Sequence, residues 1–172
     1  MEKRDLVDKN RKYIGETTIT ESNITEGKYI QIVIMCIEND KNEFLIQKRA
    51  LKKNGKWALT GGHVISGEDS VTAVLRETQE ELGLELEENE VELIFGKRAY
   101  DCFVDIYYIK KDIELSNLKL EKEEVENVEW ANLKQIRNLK ENGTFLEYHY
   151  NCLKECIYFI KEVEEEKKRC IN

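Results

Sequence analysis

Residues 62–84, GHVISGEDSVTAVLRETQEELGL, constrain this 172-residue chain more than any other stretch. Ser66, Gly67, Glu68, Asp69 and Ser70 are loop and helix-start chemistry, and Gly83 is placed to stop a helix begun near Ser70. The spacing therefore predicts a helix of about 12 residues. Along it Val71, Val74, Leu75, Thr78 and Leu82 recur at helical spacing and form one packing stripe. Glu77, Glu80 and Glu81 fall on the opposite face, adjacent or one turn apart. Carboxylates crowded in this way repel one another unless a positive charge lies between them. A hard dication with oxygen ligands supplies that charge, and Mg2+ keeps several waters when it binds a few carboxylates plus a substrate phosphate. In a chain with 36% charged residues, the plain alternative is an acidic, solvated helix face.

The surrounding residues argue against that alternative. Gly62 is followed by five residues and Glu68, then by seven residues and the run Arg76, Glu77, Thr78, Gln79, Glu80, Glu81, Leu82, Gly83, Leu84. This pattern resembles the box that defines the Nudix hydrolases, and a chance match is expected on the order of once in ten million start positions. Thr78 departs from it, since the family prefers an aliphatic residue there; on the packing stripe a threonine is tolerable. The resemblance implies that Glu77, Glu80 and Glu81 carry a metal or its water, with the backbone carbonyl of Gly62 as a further ligand. It also implies that Arg76 pairs with a box glutamate to hold it in place, and that Glu68 is a structural partner of the arginine rather than a catalytic group. Mg2+ is the implied cofactor, with Mn2+ as a substitute.

Composition bounds the rest. The length suits one domain with a sizeable core. No apolar run reaches the length of a membrane span and the polar start MEKRDLVDKNRK is no secretory signal, so a cytoplasmic protein is expected. Cys36, Cys102, Cys152, Cys156 and Cys170 are scattered without zinc-ligand or disulfide-framework spacing, and Cys152 and Cys156, one helical turn apart, suit buried packing. His63 and His149 are too few for a histidine-rich metal site. A net charge of −8 argues against nonspecific nucleic-acid binding but permits a small phosphorylated substrate. Lys48, Arg49, Lys52, Lys53 and Lys56 precede the box, and one or two of them are expected on substrate phosphates, Arg49 and Lys53 first.

No linker, repeat or low-complexity segment divides the chain, and proline is absent. Residues 1–27 read as an N-terminal hairpin or arm, with Leu6, Val7 and Asp8, a polar turn, then Tyr13, Ile14 and Gly15. Strands are predicted over residues 29–37, 43–49, 91–95, 101–109 and 128–130 within a core of residues 28–142. Asn132 caps a helix ending near Gly143, and Thr144 starts a long amphipathic helix over residues 143–172 with Phe145, Leu146, Cys152, Leu153, Cys156, Ile157, Ile160 and Val163 on its apolar side. Strands interleaved with a few helices give an α/β (α+β) sandwich. The Nudix fold, a mixed β-sheet between helices, agrees with that.

Within the family, residues 5–130 are most similar to the branch related to isopentenyl-diphosphate isomerase, through DLVDKNRKYIGET, EFLIQKRA and GKWALTGGHVISGEDS. The isomerase uses a cysteine shortly before the box and histidines in its N-terminal half. Here no cysteine lies between Cys36 and Cys102, and no histidine precedes His63, so hydrolysis is the expected reaction. The expected substrate is a nucleoside diphosphate linked to another group, or a related organic pyrophosphate. A binding module that has lost catalysis is the alternative from another class, disfavoured because all four box glutamates survive. The expected general base is Glu77, with Glu124, in an acidic loop before the strand at residues 128–130, as the second choice. Tyr100 lies where dinucleoside polyphosphate hydrolases tend to carry a tyrosine and is a weak candidate for base stacking. The long C-terminal helix leaves a monomer or a homodimer open.

Overall fold

The computed structural model describes residues 2–20 and 24–171. Part of the predicted arm, residues 21–23, lies outside the described residues, as does the side chain of Cys170. The hairpin is present: β1 (Arg4–Val7) pairs antiparallel with β2 (Tyr13–Thr18) in a sheet of their own. It is attached to the main body by paired backbone bonds between Val7 and Tyr29.

The main sheet has seven strands. They are β3 (Ile30–Glu38), β4 (Phe44–Arg49), β5 (Trp57–Ala58), β6 (Thr60–His63), β7 (Glu92–Ala99), β8 (Cys102–Lys110) and β9 (Val125–Ala131). The order is β5-β4-β3-β8-β7, with β6 added on β3 and β9 on β4. β3 runs parallel to β8, from Ile30 opposite Cys102 to Glu38 opposite Lys110, and the other pairs are antiparallel, which makes the sheet mixed. The apolar, β-branched sequence IQIVIMCIE suits β3 to this central place, where both faces are covered.

Alternation along β3 divides the core. Val33, Met35 and Ile37 pack with Ala73, Val74 and Leu82 of α1 (Ser70–Leu82). Ile34 and Cys36 pack with Ile136 of α2 (Leu133–Glu141) and with Cys152, Leu153 and Cys156 of α3 (Glu147–Ile171). The sheet is thus sandwiched between helices as expected, and the two paired cysteine positions of α3 are buried. Asn132 caps α2 through a reciprocal bond with Gln135.

Several details differ from the sequence reading, among them the strand predicted over residues 91–95, which runs on to Ala99 as β7. The last strand is longer than residues 128–130, because residues 125–131 pair along β4. Thr144 does not start α3: residues 144–146 form a bridge with Trp57, using both of its backbone groups, and the helix begins at Glu147. Val163, expected on the apolar side, is exposed. Among the described residues no helix is long and apolar enough to cross a membrane.

Candidate active site

The predicted helix is α1, with Asp69 as N-cap accepting from the Thr72 N–H at 2.9 Å. It stops at Gly83, whose φ of 66° is left-handed backbone that glycine adopts at little cost. A Cβ there would also press on the Lys119 backbone. Thr78 is fully buried and its hydroxyl donates to the Val74 carbonyl at 2.7 Å, so the one departure from the box lies on the packing face and is internally satisfied.

The opposite face of α1 is only partly open to solvent: β6 lies across Glu77 and Glu81, while Glu80 stays exposed. Gly62 comes so close to Glu77 that a Cβ would sit 2.2 Å from Glu77 Oε1, which explains why a side chain is absent at that position. Arg76 organises the glutamates. Its Nε and Nη2 clasp Glu68 at 2.8 and 3.1 Å, Nη2 also donates to the His63 carbonyl at 2.9 Å, and Nη1 donates to Glu77 at 3.0 Å and Glu80 at 2.9 Å. Every nitrogen of the guanidinium is used, a geometry that lysine cannot reproduce. Burial alone would lower the pKa of Arg76, but the bond to Glu68 and the charge of Glu77 outweigh it and raise it.

Glu81 is held separately. Gln47 Nε2 donates to its Oε2 at 2.9 Å and the Gly61 N–H adds a longer bond at 3.4 Å, while Thr60 fixes Gln47 through a 3.0 Å bond. Gln47 escaped the sequence reading, although its place with the apolar Leu45 on one face of β4 is a signal. Alternation along β4 puts Leu45, Gln47 and Arg49 toward α1. Burial pushes the Glu81 carboxyl up to about 7, with the Gln47 bond opposing and Glu77 reinforcing. Burial also raises Glu77, against the pull of Arg76, and Glu80 and Glu2 add to the rise.

These groups line a cavity of about 570 Å³. Around it stand Gly61, Gly62, His63, Glu77, Glu80 and Glu81 on one side, and Arg49, Lys53, Glu121 and Glu124 on the other. The loop carrying Glu121 hangs from the end of α1, through bonds from Lys119 N–H to the Leu82 carbonyl and from Glu121 N–H to the Glu81 carbonyl. Glu124 pairs with Lys53 at 2.9 Å. Of the basic cluster, Arg49 and Lys53 reach the cavity, whereas Lys48 pairs with Glu126 and Lys52 with Glu123 outside it. Glu2 and Arg4 also line it, and nothing in the sequence pattern of the hairpin announced them. Tyr100 is not brought to the site: it is 97% exposed at the turn between β7 and β8, beside a different groove with Tyr29 and Arg98.

Among the described residues no three metal-ligating side chains form a ready cage. Arg76 holds Glu77 and Glu80 toward itself, and Gln47 holds Glu81. The donor set still fits a hard cation. Glu77 and Glu81 are mostly buried carboxylates whose charged forms burial disfavours, and a dication would compensate that cost.

The NUDIX domain model matches residues 28–151. The chain belongs to the Nudix family. An uncharacterised Nudix hydrolase of Listeria monocytogenes is 34% identical over 154 residues, which cover 87% of this chain and 91% of that protein. A crystal structure from Deinococcus radiodurans is similar with a TM-score of 0.74 at 20% identity, over 90% of this chain and 99% of that one. The binary complex of a Caenorhabditis elegans Ap4A hydrolase is similar with a TM-score of 0.56 at 18% identity, over 76% of this chain and 98% of that one. At these identities the two structures bear on the fold alone. Family and hydrolase relatives together make this Nudix protein a hydrolase of phosphoric anhydride bonds.

Proposed function

We propose that this Nudix hydrolase is metal-dependent and cleaves the pyrophosphate bond of a nucleoside diphosphate linked to another group, or of a related organic pyrophosphate. The observation that carries the reading is the pairing, across one cavity, of the Glu77, Glu80 and Glu81 wall with Arg49 and Lys53. Glu77, Glu80, Glu81 and the Gly62 carbonyl would hold Mg2+, or Mn2+ in its place. Such an ion, when bound, neutralises phosphate charge and lowers the pKa of a water.

The chain's own residues do the rest. Arg76 fixes Glu77 and Glu80 in position, and Gln47 fixes Glu81. Arg49 and Lys53 draw the substrate's phosphoryl oxygens to the opposite side. Glu124 takes a proton from the attacking water. It is placed ahead of Glu77 because Glu77 is clamped by Arg76 and packed on Gly62, whereas Glu124 pairs with the mobile-stemmed Lys53 and remains 37% exposed. Among the described residues no cysteine lines the cavity, and Cys36, Cys152 and Cys156 are buried in the core, which gives an isomerase no thiol to use.

The C. elegans relative's name adds dinucleoside polyphosphates to the candidates. A phosphate-release screen with Mg2+ and Mn2+ over nucleoside triphosphates, nucleotide sugars, dinucleoside polyphosphates and prenyl diphosphates tests the reading. Metal-dependent turnover of at least one nucleotide derivative is expected. Tight binding without turnover across the panel, or isomerisation of a prenyl diphosphate, would overturn it.

A further inference from the structure

The N-terminal hairpin is built into the site rather than attached beside it. Along β1 and its lead-in, successive residues alternate. Lys3 and Asp5 bind the loop before α1: Ser66 N–H donates to the Lys3 carbonyl at 2.8 Å, and Asp5 accepts from Ser66 Oγ at 2.6 Å and from the Gly67 N–H at 3.1 Å. Glu2 and Arg4, on the other face, line the cavity. The hairpin's far end is pinned too. Arg11, at its turn, pairs at 2.7 Å with the buried Asp105, which accepts at 2.7 Å from Ser70, the first residue of α1. Both ends of the hairpin are therefore tied to the start of the same helix.

The cavity needs cations that can compete with its own acids. Six glutamates line it in a chain of net charge −8, and that field repels a diphosphate. Three cations oppose them, Arg4, Arg49 and Lys53. Of these, Arg4 and Arg49 carry planar forks suited to two oxygens of one phosphoryl group. We propose that Arg4 is a substrate-binding residue, which with Arg49 holds a phosphoryl group of the substrate's diphosphate, so that the hairpin completes the binding site. This rests on the pyrophosphohydrolase reading above.

Titration of methylenediphosphonate, whose carbon bridge cannot be hydrolysed, into the full chain tests it by calorimetry. Arg4→Gln is expected to weaken binding at least about tenfold, the loss of one charge-assisted contact. Arg4→Lys should weaken it less. Lys9→Gln, which removes the same charge from the exposed turn of the same hairpin, should leave it within twofold, and all three should melt near the unmodified protein. With a substrate found in the screen, Arg4→Gln should raise KM and leave kcat within about threefold. Unchanged affinity in Arg4→Gln, equal weakening in Lys9→Gln, or no binding by the unmodified chain overturns the proposal. Should Arg4→Gln fold poorly, an Arg4→Lys variant with undiminished affinity and unchanged KM still overturns the fork argument. Metal-dependent turnover by the unmodified protein keeps the hydrolase reading standing in each of those cases.

Discussion

The two sides of the cavity are built on opposite plans. The side formed by α1 and β6 is locked. Arg76 is 17% exposed and makes five hydrogen bonds, Glu68 and Glu77 are 14% and 13% exposed, and Gly62 closes on Glu77 with no room for a methyl group. The facing side is assembled from segments far apart in the chain. Lys53 and Glu124 are 42% and 37% exposed and held mainly by each other. The difference gives fixed geometry to the side that would hold a metal ion, and adjustable geometry to the side that would receive the substrate and carries the proposed proton acceptor Glu124.

Breaking the locked side should cost most. Arg76→Ala leaves Glu68 and Glu77 without their cation, and is expected to lower stability by about 3 kcal/mol in chemical denaturation and turnover by at least about a hundredfold. Arg76→Lys should recover stability only in part.

A partly buried imidazole on α3 gives the next largest effect. His149 Nδ1 accepts from the Leu59 N–H at 3.2 Å, beside Tyr148 and within the field of Arg49. Burial first, then Arg49, lowers its pKa to about 4. Its folded pKa lies below the unfolded value, so its contribution to stability is fully present above about pH 6.5 and is lost as pH falls through 4. Roughly 2–3 kcal/mol should disappear over that window, and a His149→Gln variant, which can still accept from Leu59, should lose that part of the slope in melts across pH.

The facing side should respond in binding rather than stability. Lys53→Gln removes a largely exposed pair, so the melting temperature should barely move while KM for a nucleotide substrate rises about three- to tenfold. An effect on kcat alone would erase the distinction between the sides. Thr78→Val should do least. It exchanges one internal hydroxyl bond for a methyl group on the packing face, with stability within about 1 kcal/mol and turnover unchanged.

The same contrast explains what could be read from the sequence. The locked side is mostly local: Gly62, Arg76 and the four box glutamates lie within 23 consecutive residues, and helical spacing fixes which of them share a face, whereas Gln47, which holds Glu81, comes from β4. The central strands were legible because they are continuous apolar runs. The facing side depends on tertiary placement. Arg49 and Lys53 emerged from a basic cluster in which Lys48 and Lys52 turn outward to Glu126 and Glu123, a choice that no periodicity encodes. Arg4 reaches the cavity because the hairpin is tied to distant residues, Asp5 to Ser66, Val7 to Tyr29 and Arg11 to Asp105. Tyr100 shows the converse error, since a plausible spacing put it near the chemistry while the β7–β8 turn carries it off to an exposed tip.

The central claim is that the reaction depends on the carboxylates of α1 as the residues that would hold the metal ion, and Glu81→Gln addresses it most directly. The amide keeps the size of the side chain and can still meet Gln47, so the melting temperature should stay close to that of the unmodified protein. Metal-dependent phosphate release from the best substrate of the screen should fall by about a thousandfold or more. A folded Glu81→Gln protein with full metal-dependent turnover would contradict the account.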